Sequence, residues 1–233
     1  MGERTSRAAA VSPVASSDYP SIDDYALIGD CRIAALVGRD GSLDWLCLPH
    51  FSGGALFAAL LDRERGGRFA MTPVGPYEVS RRYLPHSGVL ETVFHGPAGR
   101  ARLTDCVPVL DNGDRSRQLQ PQRELIRRLE VLEGEVELEV VFDPRPDFGR
   151  AAFELEHLGR LGWCCRFGAE AVYLQGDRVL QAEERGVGGR WRVAAGETVS
   201  FTLIYVYQDI ATLVPLSTAA TRIEHTVQWW RQW

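Results

Sequence analysis

Lysine is missing altogether: all 26 basic residues of this 233-residue chain are arginine. Two readings of that bias stand side by side, a codon preference for arginine and a use of its bidentate fork on anions. The arginines are scattered from Arg4 to Arg231 and mixed with glutamate, and the net charge is −5. Nucleic-acid binding needs a basic face, so that class is excluded. No stretch nears the ~20 apolar residues of a membrane span. Residues 1–17 hold arginine, alanine, serine and proline with the single acid Glu3 and no secretory apolar core; a transit-type composition stays open, and a disordered tail is expected over 1–18. The five cysteines, Cys31, Cys47, Cys106, Cys164 and Cys165, are odd in number, form no C-x-x-C and sit among apolar neighbours. That usage fits a reducing, cytoplasmic setting, and with the five histidines dispersed (His50, His86, His95, His157, His225) no metal is expected. There is no G-x-G-x-x-G and no G-x-S-x-G, hence no dinucleotide fingerprint, no serine-hydrolase elbow and no expected cofactor.

What is present is a succession of strand signals. Ile33–Val37 and Leu43–Leu48 flank Gly38-Arg39-Asp40-Gly41-Ser42, and an Asp-Gly pair between apolar runs predicts a hairpin. Arg68–Thr72 reads as a strand, and Tyr77–Leu84, Val89–His95 and Arg100–Val107 as a meander. In Val136–Phe142, valine, leucine and phenylalanine alternate with Glu137 and Glu139, the period-two pattern of a half-buried strand. Leu125–Leu132 precedes it across Glu133-Gly134-Glu135, and further strands are expected at Gly162–Phe167, Ala171–Gln175, Val179–Glu184, Arg190–Val193 and Val199–Tyr207. The polar stretch 111–122 reads as a surface loop. Phe57–Leu61 is expected to form one or two helical turns within 56–62. In the last segment Ile223, Val227 and Trp230 recur at helical spacing, with Ser217 or Thr218 as cap, so a helix is expected near 217–233. The whole predicts an all-β fold, a large antiparallel sandwich of two sheets over 19–215, with a helical linker at 216–233.

Glycoside hydrolysis needs two carboxylates about 5–10 Å apart across a sugar bond. The adjacent pairs are poor candidates: Glu183 and Glu184, as strand neighbours, point to opposite faces, and Asp23-Asp24 sits at the domain's entrance, where solvated charge is expected. The strongest binding candidates lie where the second hairpin strand ends: Asp44, Trp45, His50 and Phe51, an acid, rings and an imidazole of the kind that grip sugar hydroxyls and apolar sugar faces. The bland alternative keeps Trp45 in the core, Asp44 on a backbone turn and His50 as a plain loop residue. Trp229, Trp230 and Trp233 crowd the last five residues, either closing the domain's own sandwich or forming a joint with a following domain.

Four stretches, taken together, resemble the trehalase-like and glucoamylase-like enzymes of glycoside hydrolase family 15. They are Ile28-Gly29-Asp30-Cys31-Arg32 through Asp44-Trp45-Leu46-Cys47-Leu48-Pro49; Phe57-Ala58-Ala59-Leu60-Leu61; Arg82-Tyr83-Leu84-Pro85 with Val89-Leu90-Glu91-Thr92 and Leu103-Thr104-Asp105; and Leu132-Glu133-Gly134-Glu135-Val136 leading to Pro144-Arg145-Pro146-Asp147-Phe148-Gly149-Arg150. The likeness runs from about Ile22 to Trp230. It departs after Pro49, where relatives commonly carry Arg-Phe-Asp-Ser-Pro and this chain has His50-Phe51-Ser52-Gly53-Gly54, and at Cys106, where an aromatic is common. The resemblance implies an N-terminal β-sandwich that packs on and stabilises an α/α barrel carrying the catalytic acids. No position here matches those acids, so no catalytic residue is expected in this chain, which ends about where that barrel would begin. Asp44, Trp45, His50, Phe51, Trp229 and Trp230 become candidates for the substrate rim or the barrel interface. The implied substrates are α-glucosides, trehalose or maltose-type. Rival readings are a free-standing carbohydrate-binding module resting on Trp45, Trp163, Trp191 and the terminal tryptophans, a partner acting in trans on a separate barrel, and a small hydrolase using Asp44 and His50.

Overall fold

A computed structural model describes residues 19–109, 123–208 and 213–233; the tail expected at 1–18 and the loop expected at 111–122 lie outside the described residues. Fifteen strands occur among the described residues, and every pairing between them is antiparallel. They are β1 (Ala26–Gly29), β2 (Ala34–Val37), β3 (Ser42–Leu48), β4 (Gly54–Phe57), β5 (Arg68–Pro73), β6 (Glu78–Tyr83), β7 (Leu90–His95), β8 (Gly99–Cys106), β9 (Arg123–Asp143), β10 (Glu154–His157), β11 (Trp163–Phe167), β12 (Glu170–Gly176), β13 (Gln181–Ala182), β14 (Val187–Ala194) and β15 (Thr198–Tyr207). The helix α1 (Ala219–Gln232) follows.

The predicted hairpin is β2–β3, closed by Gly41 N–H donating to the Gly38 carbonyl at 3.1 Å, with Gly41 at φ +80° where a side chain would be strained. The two runs expected at 125–132 and 136–142 are one 21-residue strand, β9. Its first half pairs with β8 and β15 and its second half with β5 and β14, so β9 joins two sheets into one hydrogen-bonded system. The hinge is Gly134 at φ +67°, opposite Gly99, beside a register shift in β8. A Cβ there would sit 2.1 Å from the Ala98 carbonyl oxygen, so only glycine lets the strand pass. The halves then face each other: Phe69 of β5 meets Phe201 of β15 edge-on at 6.1 Å, inside one apolar core drawn from both. The alternation read from 136–142 holds, with Val136, Leu138, Val140 and Phe142 buried.

One expectation is displaced. No helix forms at 56–62: Gly54–Phe57 is β4, paired with β3, and turns follow. A run of four or five apolar residues has no period of its own, and here both its faces are covered, which favours a strand. The short helical turns lie elsewhere, at Ile22–Asp24, Pro146–Gly149, Gly159–Leu161 and Leu216–Thr218. β10 is an additional strand, pairing with β11 only, and Val179–Glu184 shrinks to β13.

The middle of the core holds an ion pair. Arg127 of β9 and Asp105 of β8 are both wholly buried, 2.7 Å apart from Nε to Oδ1. Arg127 also donates to the Gly41 carbonyl at 2.7 Å and to that of Phe69, and its guanidinium lies 4.9 Å from the Phe69 ring centre. The residue thus ties β9 to the β2–β3 turn and to β5 across the sandwich.

Candidate functional site

β3 is buried on both faces, and this decides what Asp44 does. Asp44 is 3% exposed; Tyr25 Oη donates to its Oδ2 at 2.8 Å and Ser42 Oγ donates to its Oδ1. The carboxylate therefore braces the start of β1 and the hairpin turn and does not face solvent. Burial, then the hydrogen bond and charge of Asp44, push the Tyr25 hydroxyl above its ordinary range. Trp45 points to the opposite face, as strand neighbours must. It is half-buried against Cys47, Ala55 and Ala58, with its ring 5.9 Å from that of Phe148.

Phe148 stands on a strap that joins β9 to β10. Asp147 (φ 52°), Phe148 (φ 58°) and Gly149 (φ 75°) are three successive left-handed residues. That conformation costs an aromatic residue about 1–3 kcal/mol, so the surroundings must enforce it. They do so from three sides. Arg145 N–H donates to the Leu56 carbonyl at 2.8 Å, Arg150 Nη2 donates to Asp147 Oδ1 at 2.9 Å, and the Arg150 guanidinium covers the Phe148 ring at 5.3 Å. Between the strap and the start of β12 opens a pocket of about 330 Å³, whose lining includes Leu48, Ala55, Pro146, Asp147, Phe167 and Glu170. Glu170 Oε2 accepts from Tyr205 Oη at 2.7 Å; burial first, and then this hydrogen bond, raise that hydroxyl above its ordinary value. The two acids of this pocket are thus engaged by Arg150 and Tyr205 respectively.

The loop after β3 lies at the same end. Arg123, the first residue of β9, donates from Nε to the Pro49 carbonyl at 2.6 Å and brings Nη2 to 3.3 Å from His50 Nδ1. Phe51 follows at 57% exposure. The next residue of β9 faces the other way: Glu124 is buried and forms an ion pair with Arg222 of α1. The helix lays Ala219, Ile223 and Val227 on Val89, Cys106 and Ile126, the spacing expected from its sequence. Trp229 and Trp230 lie two turns beyond Arg222, roughly 11 Å further along the axis. Their rings are 5.1 Å apart, half-buried, with Trp230 against Gly88, while Trp233 is 82% exposed.

The six sequence-derived candidates therefore fall into separate settings. Asp44 is interior, Trp45 joins the strap, His50 and Phe51 form a loop pinned by Arg123, and Trp229 with Trp230 caps the far half of α1. The strap residues Asp147 and Phe148, and Glu170, were not singled out as site residues from sequence; the signal available was the Pro-Asp-x-Gly run, a turn signature. Among the described residues no cluster of three or more His, Cys, Asp or Glu is placed to hold a metal ion, and no helix is long and apolar enough to cross a membrane. All five cysteines are free thiols.

Comparison with known proteins follows the same lines. The family model described as "Trehalase-like, N-terminal" matches residues 12–161. A trehalase of Mycolicibacterium smegmatis is 32% identical over 164 residues, covering 64% of this chain and 24% of that protein. A trehalase of Mycobacterium tuberculosis is 28% identical, covering 92% of this chain and 34% of its own length, and one of Thermoplasma volcanium is 25% identical, covering 95% and 35%. The chain thus spans a quarter to about a third of the curated relatives it matches. The match over 12–161 takes in both halves of β9, the β2–β3 hairpin, the meander and the Pro146–Gly149 strap, and on that ground the chain belongs to the trehalase-like N-terminal domain family.

Proposed function

We propose that this chain is the non-catalytic N-terminal domain of a family 15 glycoside hydrolase acting on α-glucosides of the trehalose or maltose type. In this reading it packs on an α/α-barrel catalytic domain and stabilises it, joined through 216–233 or meeting it in trans, in the cytoplasm. The observation that carries the reading is the proportion of the match: nearly the whole chain aligns with trehalases three times its length. The site supports it from a second direction. Asp147 and Glu170, the acids that share a pocket, are held by Arg150 and Tyr205, whereas a glycosidase pair must face an open sugar site. What the end of the sandwich does offer is contact surface: Phe51, Phe148 and the His50 loop beside the strap, and the tryptophans of α1. An isolated domain gains nothing from holding Phe148 left-handed and exposed, but a rigid strap presented to a partner does.

The test is a domain exchange. The segment of the M. tuberculosis trehalase aligned with this chain is replaced by the chain, and trehalose hydrolysis is measured beside the chain alone and beside the truncated trehalase. The chain alone should release no glucose from trehalose or maltose, the truncated enzyme should be inactive or insoluble, and the chimera should recover activity. Turnover by the chain alone that is abolished in Asp147→Asn or Glu170→Gln would overturn the reading, as would a chimera no better than the truncated enzyme.

A further inference from the structure

The end of the second sheet remote from Glu170 carries a pocket that the proposed function does not use. His157 closes β10 and Trp163 opens β11 directly opposite, with ring centres 5.0 Å apart and planes at 53°. Trp163 Nε1 donates to the Leu180 carbonyl at 3.2 Å, so the indole is fixed in orientation. Behind the rings, Leu174 and Phe201 form a buried floor, and Arg160 and Arg178 complete the lining of a pocket of about 260 Å³. β11 and β12 separate it from the strap: Trp163 and Phe167 are the two ends of β11, roughly 13 Å apart.

The charge of this pocket is one-sided. No aspartate or glutamate lines it. Neither Arg160 nor Arg178 forms an ion pair or hydrogen bond among the described residues. The nearby Asp177 carboxylate accepts from the Ser200 amide at 2.9 Å and also feels the charge of the adjacent Arg178. Arg166, on β11 itself, behaves differently and pairs with Glu156 of β10 at 2.5 Å. Arg160 and Arg178, both outside any ion pair among the described residues, line one concavity beside an imidazole, a combination that suits a carboxylate or phosphate. The aromatic wall adds a second requirement. An indole fixed at its N–H offers one apolar face for a ring to lie on, and the tilt between His157 and Trp163 leaves no parallel slot for a flat base. The volume lies below the roughly 300–1,000 Å³ of drug-sized sites and suits one ring.

We propose that the Trp163–His157–Arg160–Arg178 pocket binds a single sugar ring bearing an anionic group, a hexose phosphate or a uronic acid, at a site separate from the strap and from the proposed barrel contact. The sugar face stacks on Trp163, the anion bridges the two guanidinium groups, and ring hydroxyls meet His157. Isothermal titration of the 233-residue chain with glucose 6-phosphate, glucuronate, glucose, inorganic phosphate and AMP tests it. At least one of glucose 6-phosphate and glucuronate should bind saturably at millimolar or lower concentration, and which of them does tells phosphate from carboxylate recognition. Glucose and inorganic phosphate alone should each bind about tenfold more weakly or worse, and AMP no better than phosphate. Arg160→Gln and Arg178→Gln should each raise the Kd about tenfold without moving the melting temperature. Trp163→Phe should remove most of the ligand-induced fluorescence change. The proposal fails if neither anionic sugar binds, if glucose, phosphate or AMP matches them, or if both arginine variants, folded and stable, bind as the parent does. None of these outcomes depends on whether the domain exchange succeeds.

Discussion

Removing the Asp105 carboxylate should do more damage to this domain than removing any surface charge. Asp105 accepts from Arg127 Nε at 2.7 Å and from Nη2 at 3.3 Å, and neither side chain reaches solvent. In Asp105→Ala the guanidinium keeps the carbonyls of Gly41 and Phe69 but loses its counter-charge in the middle of the sandwich. Breaking such a pair from one side costs about 3–5 kcal/mol. For a domain of this size that lowers the melting temperature by roughly 6–20 °C, read by circular dichroism. Glu133→Ala is the control: it breaks the Arg100–Glu133 pair, shorter at 2.5 Å but 40% and 66% exposed, and should cost less than about 1 kcal/mol. The double change Arg127→Met with Asp105→Leu should return part of the loss. It removes both charges and leaves two carbonyls short of a donor, of which Gly41 still accepts from the Met71 amide at 3.2 Å. The reasoning is refuted if Asp105→Ala lowers stability by no more than Glu133→Ala.

Two further outcomes follow from the same coordinates. Gly134→Ala, with its Cβ forced against the Ala98 carbonyl at φ +67°, should lower the urea midpoint by an amount worth more than about 2 kcal/mol, whereas Gly96→Ala, whose Cβ would meet nothing nearer than 3.5 Å, should stay within about 0.5; equal effects would mean that the hinge between the sheets is not set at Gly134. Burial pushes the thiols of Cys47 and Cys164 up and those of Cys106 and Cys165 up to about 12, while Cys31 alone is exposed. Thiol titration at pH 8 should therefore find one fast-reacting cysteine in the native chain and five after denaturation, and two or more fast native thiols would contradict the packing.

Local pattern was enough to read several elements. The Asp-Gly turn, the alternation of Val136–Phe142 and the helical spacing of Ile223, Val227 and Trp230 each depend on neighbours within a few residues, and each is found as read. The run at 56–62 shows the limit of that information: without a period of its own, it took its conformation from β3, on which it pairs. The candidate site divides in the same way. That Trp45 and His50 stand near a strand end was legible. That Asp44 turns inward to Tyr25 was not, because its partner lies 19 residues away.

The amino-acid order by itself determined the all-β class, the free-thiol usage and the helix that follows the sheets, since composition and short-range periodicity carry these, while the family rested on the likeness of four particular stretches. Tertiary structure alone decided that one strand serves both sheets, that Arg127 and Asp105 meet in the core, that the strap holds Phe148 left-handed beside Trp45, and that His157, Arg160, Trp163 and Arg178 share a pocket. The physical reason is range: a turn or a period is a property of adjacent backbone, whereas a buried charge, an enforced backbone strain or a concave cluster exists only after segments distant in the chain have been packed together.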